Sequence, residues 1–141
     1  MSYATLDDLI ARAGSAEIGE IADRDGNGTP DPTVIAAALA AADQTIDGYL
    51  AVRFALPLTA IPPLVVKWAA SIARYHLHRD GAPDYVVRDY KEAFAELRDA
   101  AAGRLMLPDA AGAVPPSNSL GGAQAAGTAP VFTAEALEGW L

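Results

Sequence analysis

The sequence predicts an all-α protein, a compact bundle of four to five helices followed by a flexible C-terminal arm. Large apolar residues recur at steps of three and four through three long segments, which is the period of a helix that buries one stripe. Residues typical of helix starts and ends bracket these segments. Residues 110–134, by contrast, carry no charged side chain and are rich in Ala, Gly, Pro and Ser, so they cannot build a core of their own.

Two short helices are expected first. Thr5 is followed three residues later by Asp8, which predicts a capping box, and Gly14 predicts the end of that helix. A second helix over about 15–22 leads into an acidic, glycine-containing loop.

The third helix is predicted over about 32–54. Asp31 is the expected cap, and Pro32 lies in the first turn, where no N–H is needed. Gly48 costs about 1 kcal/mol in such a helix, so we expect a close contact or a bend there. The predicted buried stripe consists of Ile35, Leu39, Ala42, Ile46, Leu50 and Phe54.

The two remaining helices are separated from the third by a stiff connector, residues 56–63. They are predicted over about 63–80 and 84–102, ended by Gly81 and Gly103 respectively. The predicted stripes are Leu64, Trp68, Ile72 and Tyr75 in the first of them, and Val86, Tyr90, Phe94, Leu97 and Ala101 in the second.

The predicted organisation is a helical domain at 1–107 and a flexible arm at 108–141. Thr133 is placed to cap a final helical turn near the end of the arm. A group of large apolar residues at a chain end needs a covering surface, on the same chain or on a partner. We expect the tip to bind a partner, and the alternative is that it folds back on its own body. Its expected contact residues are Val131, Phe132, Leu137, Trp140 and Leu141.

Composition narrows the function classes. The net charge of −8 with ten Lys and Arg argues against a general nucleic-acid binder. The absence of cysteine excludes disulfides and thiol catalysis. No apolar run is long enough for a membrane span, and the first residues lack the pattern of a signal peptide. We therefore expect a soluble protein made in the cytoplasm.

The loop after the second helix resembles part of an EF-hand calcium loop. The residues at its ligand positions are Asp23, Asp25, Asn27, Thr29 (through its carbonyl) and Asp31. Val34 stands where the closing glutamate is needed, and Pro30 and Pro32 stiffen the second half. Two interpretations remain open. One is a turn held by Asx side chains, and the other is a calcium site of roughly millimolar affinity.

The sequence offers few other candidate catalytic or metal-binding residues. His76 and His78 are two residues apart on a helix, so they point in different directions and cannot chelate one metal together. No phosphate loop, nucleophile elbow or metal cluster is present, so we predict no enzyme and no required cofactor. Basic and acidic residues alternate around the last two helices, which predicts a mixed solvated face suited to a protein partner. Its basic members are Lys67, Arg74, Arg79, Arg88 and Lys91.

The order of motifs resembles the small connector proteins of Mu-type phages and prophages and related head-to-tail adaptors of tailed phages. The resemblance covers about residues 3–107 and is not expected to reach the arm. Its parts, in order, are "YATLDDLIAR" (3–12), the acidic glycine loop (23–31), "DGYLAVRFALPL" (47–58), "PP" (62–63), "IARYHL" (72–77), "YKEAFAEL" (90–97) and "GRLML" (103–107).

The resemblance implies a non-catalytic structural protein of the virion, located at the head–tail junction and in the host cytoplasm during assembly. It implies a homo-oligomeric ring of about twelve copies between the portal protein and the neck or tail-completion proteins. DNA would pass through that ring without sequence-specific recognition, and no membrane would be involved. The alternative function, from the loop alone, is a small helical calcium-binding module.

Overall fold

The computed structural model describes residues 2–109 and 111–117, and it confirms the all-α prediction. Within these residues there is one isolated bridge, between Phe54 and Ser117, and no strand. No described helix combines the length and apolar character that a membrane crossing requires. The helices are α1 (Leu6–Ala13), α2 (Ser15–Ile21), α3 (Pro32–Leu50), α4 (Pro63–Leu77) and α5 (Asp84–Ala101).

The capping box at the start of α1 is confirmed. The Asp8 N–H donates to the Thr5 hydroxyl at 3.3 Å, and the Thr5 N–H donates to the Asp8 carboxylate at 2.8 Å. The predicted cap of α3 is only half right. Asp31 occupies the cap position, but its carboxylate accepts from the Arg24 N–H at 2.8 Å and makes no bond to the helix.

Two helices end earlier than predicted. α3 ends at Leu50 instead of residue 54, because residues 51–53 turn away and Phe54 joins the bridge to Ser117. α4 ends at Leu77 instead of residue 80, and the Arg24 guanidinium donates to the Leu77 carbonyl at 3.0 Å. This bond supplies a partner for one of the carbonyl groups that a helix end leaves free.

α4 lies at the centre of the bundle, where it packs against α1, α3 and α5. Consequently it is buried on most sides, not along one stripe. Its fully buried side chains include Val65, Trp68, Ile72 and Leu77, whereas the predicted Leu64 and Tyr75 are only half-buried. The predicted stripe of α3 is confirmed, since all six of its residues are buried.

The predicted stripe of α5 is partly wrong. Val86 and Leu97 are buried as expected, but the small side chains Ala93 and Ala100 complete the buried face. The rings of Tyr90 and Phe94 lie at its edge and are half-buried. Alanine lets two helices approach closely, so large rings are accommodated beside the contact line instead of within it.

Glycine matters at the end of α5 and not within α3. A Cβ placed on Gly48 would meet no atom within 4 Å, so the predicted close contact is absent there. Gly103 has φ +83°, and a Cβ there would lie 1.9 Å from the Arg53 guanidinium. The Arg104 N–H donates to the Asp99 carbonyl at 2.8 Å, which closes the helix in the manner of a glycine C-cap.

The described chain stays in contact with the body beyond the predicted boundary at 107. Leu107 is fully buried, and Asp109 accepts bonds from the N–H groups of Ala111 and Ala113. The Ala55 N–H then donates to the Pro116 carbonyl at 3.0 Å. Residues 111–117, which were assigned to the arm, thus line the connector between α3 and α4.

This arrangement predicts different results for two truncations. A chain cut after Ser117 should remain folded, because it keeps the whole core and the bond from Ala55 to Pro116. A cut after Asp109 should lower the free energy of unfolding by about 1 kcal/mol, the typical net value of a lost backbone hydrogen bond. Urea unfolding followed by far-UV circular dichroism measures both. Failure of the 1–117 chain to fold would show that residues 118–141 belong to the core.

Candidate functional site

The acidic loop is organised around the Asp23 carboxylate. One oxygen accepts from the N–H groups of Gly26 and Asn27 at 2.8 and 3.2 Å, and the other accepts from the Gly28 N–H at 2.8 Å. These bonds, led by the one from Gly28, hold the pKa of Asp23 below its ordinary value. Gly26 and Gly28 both have positive φ, which permits this tight wrapping.

The other predicted loop ligands also bind the loop itself. Asn27 accepts from the N–H and hydroxyl groups of Thr29, both at 2.8 Å, and its own N–H donates to Asp25 at 3.1 Å. Oxygen atoms of Asp23, Asp25 and Asp31 lie within 4.8 Å of one another. The Asn27 N–H lowers the pKa of Asp25, but desolvation, its contact with Asp23 and the charges of Asp31 and Asp23 outweigh this and raise that pKa.

This geometry favours the interpretation as a turn. The carboxylate and amide oxygens satisfy backbone donors that would otherwise be free, and the loop is fixed to the bundle at both ends. The Asp31 N–H donates to the Ala22 carbonyl at 2.9 Å, and Arg24 reaches the end of α4. Three grouped carboxylates are also compatible with cation binding, so the weak calcium site stays a prediction.

We expect calcium to stabilise the protein only slightly. With a roughly millimolar site, 1 mM calcium contributes a few tenths of a kcal/mol. Thermal melting with and without calcium measures the effect, with magnesium as the ion control and Asp25→Asn as the matched variant. A rise of many degrees in wild type that chelation reverses and Asp25→Asn abolishes would contradict this expectation.

The predicted mixed solvated face needs one correction, because Arg74 is buried. Only 7% of the residue is exposed, and its guanidinium donates to both Glu17 oxygens at 2.6 and 2.8 Å. Asp89 lies 3.8 Å from the same guanidinium, and the Tyr85 hydroxyl donates to Glu17 at 3.3 Å. This charged cluster joins α2, α4 and α5.

The two histidines are placed differently, as their spacing predicts. His78 is half-buried at the end of α4, with Nε2 3.9 Å from Glu17, whereas His76 is exposed and lies edge-on to Tyr75 and Tyr90. They do not share a metal-binding position. Groups of three or more metal-ligating residues occur within the described chain only at the acidic loop.

A groove on α5 is a candidate site that the sequence did not indicate. Tyr90, Lys91, Phe94 and Arg98 line this open depression of about 350 Å³. The Tyr90 ring stacks on Tyr75 at a centroid distance of 3.9 Å and meets Phe94 edge-on at 4.8 Å. The i, i+4 spacing of the two rings was assigned to the core, so only the packing shows that they reach the surface. The predicted tip contacts, Val131, Phe132, Leu137, Trp140 and Leu141, lie outside the described residues.

Comparison with known proteins identifies the family. The family described as Bacteriophage Mu, Gp36 matches residues 3–125, which is most of the chain. The chain belongs to the Mu Gp36 family. Gene product J of Escherichia phage Mu is 33% identical to it over 105 residues, covering 74% of both chains. The Mu-like prophage FluMu protein gp36 of Haemophilus influenzae gives the same identity and coverage.

Gp36 membership confirms the part of the predicted resemblance that concerns Mu-type phages and prophages. The match also covers more of the chain than expected: it reaches residue 125, whereas the resemblance was expected to stop at 107. The family and both relatives are named as phage or prophage proteins, and these names specify no reaction. The acidic loop, the charged cluster and the α5 groove all lie within the matched range.

Proposed function

We propose that this Gp36-family protein is a structural head-to-tail connector that forms a ring between the portal and the neck or tail. The observation that carries the proposal is membership in a Mu phage family, joined to the connector-like order of motifs along residues 3–107. The neighbours in this role are the portal protein and the neck or tail-completion proteins. The site of action is the head–tail junction of the virion, reached from the host cytoplasm.

The described body suits a structural role. Its core is continuous from Tyr3 to Leu107, and the buried Arg74 joins α2 to α4 and α5 through Glu17 and Asp89. In the acidic loop, the Asp23 carboxylate accepts backbone hydrogen bonds that fix the turn. A net charge of −8 disfavours adhesion to DNA that moves through a ring. We propose no catalytic residue and no required cofactor.

The ring is tested by imaging the protein within assembled particles. We expect density for about twelve copies at the portal vertex, and particles assembled without the protein should have filled heads that lack tails. Finding the protein away from that vertex, or absent from mature particles, would overturn the connector assignment.

The tip of the arm is proposed to make the contact that completes assembly. Replacing both Phe132 and Trp140 with alanine should abolish attachment to portal-bearing heads, because losing one aromatic anchor commonly costs about 2 kcal/mol of binding. The melting temperature of the isolated protein should change little. Sedimentation of heads with bound protein measures attachment.

Phe132→Leu with Trp140→Phe is the matched control for this change, since it retains apolar side chains at both positions. We expect partial or full attachment from that variant. A large fall in melting temperature with attachment preserved would show that the tip serves the core of its own chain.

A further inference from the structure

The α5 groove has a rigid aromatic floor. Tyr90 is fixed between Tyr75, stacked at 3.9 Å and 15°, and Phe94, edge-on at 4.8 Å. Phe94 is supported in turn by the Tyr49 ring of α3, at 5.9 Å. Neither Tyr90 nor Phe94 is fully covered. Fixed, partly exposed rings provide a surface on which apolar and aromatic side chains pack at low entropic cost.

Two cations line this groove without a charged partner. Lys91 and Arg98 are exposed, and no carboxylate of the described residues lies within 4.0 Å of either. Lys67, by contrast, lies 3.1 Å from Glu96. In a helix, residues seven apart lie on one face, so Lys91 and Arg98 bracket Phe94 on the groove side of α5. An acidic, apolar segment is the complementary ligand.

The segment 131–141 of the same chain has this composition. It contains the five large apolar residues of the tip, two carboxylates at Glu135 and Glu138, and no Lys or Arg. A basic segment would be repelled by Lys91 and Arg98, whereas this one matches both the rings and the charges.

The described chain ends against the segment that follows α3, the helix whose Tyr49 ring borders the groove. Ser117 is bridged to Phe54, which follows Tyr49 by five residues, and the Tyr49 ring touches Phe94. Thirteen residues, 118–130, separate Ser117 from Val131. For a random-coil chain of thirteen residues the root-mean-square span is about 20 Å. The tip therefore reaches the groove at an effective concentration in the millimolar range, far above that of a separate molecule.

We propose that the α5 groove binds segment 131–141 of its own chain in the free protein. Phe132 and Trp140 pack on the rings of Tyr90 and Phe94, and the two glutamates meet Lys91 and Arg98. This contact shields the tip until a partner displaces it. It does not rest on the connector role, and its loss leaves the bundle folded because the contact is local.

Trp140 provides a direct reporter in the full-length protein. The sequence has two tryptophans, and Trp68 is fully buried, so acrylamide quenching of fluorescence excited beyond tyrosine absorption follows Trp140. We expect Trp140 to be protected in wild type. Lys91→Glu and Arg98→Glu should each raise the quenching constant several-fold, while Arg79→Glu should leave it unchanged. Arg79 is the matched control because it is exposed, makes the same charge change and has no described carboxylate within 4.0 Å.

Three results would overturn the proposal. The first is strong quenching in wild type, equal to that of a free tryptophan peptide. The second is protection that depends on protein concentration, which would make a second copy the ligand. The third is tight binding of an oligothymidine that Lys91→Glu abolishes while Trp140 quenching stays the same, which would assign the groove to nucleic acid. Intact far-UV circular dichroism in every variant keeps these results separate from unfolding, and none of them depends on particle assembly.

Discussion

Replacing Trp68 with alanine is expected to lower the free energy of unfolding by about 3–5 kcal/mol, the usual range for removing a buried large aromatic side chain. Trp68 is fully buried on α4, the helix that contacts α1, α3 and α5. Its removal opens a cavity among several elements at once, and the surrounding helices cannot close it without moving apart from their other contacts.

The indole N–H adds a smaller contribution. It donates to Glu96 at 3.4 Å, and the same carboxylate lies 3.1 Å from Lys67. Trp68→Phe keeps most of the ring volume and removes this bond, so it should cost clearly less than Trp68→Ala. Urea unfolding followed by far-UV circular dichroism measures both without depending on tryptophan fluorescence. A loss below about 1 kcal/mol for Trp68→Ala would contradict the central position assigned to α4.

Replacing Glu17 with alanine is expected to cost a similar amount, about 3–5 kcal/mol, because it leaves a buried charge without its main partner. Arg74 is buried, and Glu17 accepts both of its short hydrogen bonds. Asp89, at 3.8 Å from the guanidinium, is too distant to replace them. Chemical denaturation measures the loss.

A second substitution distinguishes the cost of leaving the Arg74 charge unpaired from the cost of lost packing. Arg74→Met in the Glu17→Ala background removes the unpaired cation while retaining apolar volume, so we expect it to recover much of the lost stability. No recovery in the double variant would show that Glu17 acts through packing instead of through its pair with Arg74.

The same pair makes stability depend on pH. The hydrogen bond from Arg74 holds the pKa of Glu17 below its ordinary value of 4.5. A carboxyl group with a lowered pKa in the folded state stabilises the protein above its unfolded pKa, and the contribution disappears as pH falls through the folded pKa. The free energy of unfolding of the wild type should therefore decrease as the pH is lowered below about 4.5. That of Glu17→Gln should decrease less steeply. Equal slopes would contradict the assignment.

Local signals were sufficient to predict the helices of this protein. The capping box at Thr5 and Asp8, the proline at the start of α3 and the glycine after α5 act within one helical turn, so their residues alone determine the outcome. The stripe of α3 was also predictable, because its large apolar residues all lie on one face of the helix and that face is the one that packs into the core. The order of motifs along the chain was sufficient to indicate the family resemblance over residues 3–107.

Tertiary structure decided which neighbour each of these residues meets. Arg74 was expected on a solvated face because of its charge, yet Glu17 on α2 makes its burial favourable. Asp31 has the chemistry of a cap, but the Arg24 N–H competes for its carboxylate. Tyr90 and Phe94 have core spacing, and the close approach that Ala93 and Ala100 permit leaves their rings at a surface groove. Periodicity fixes the face on which a side chain lies, whereas its burial depends on the distance and shape of the helix packed against that face.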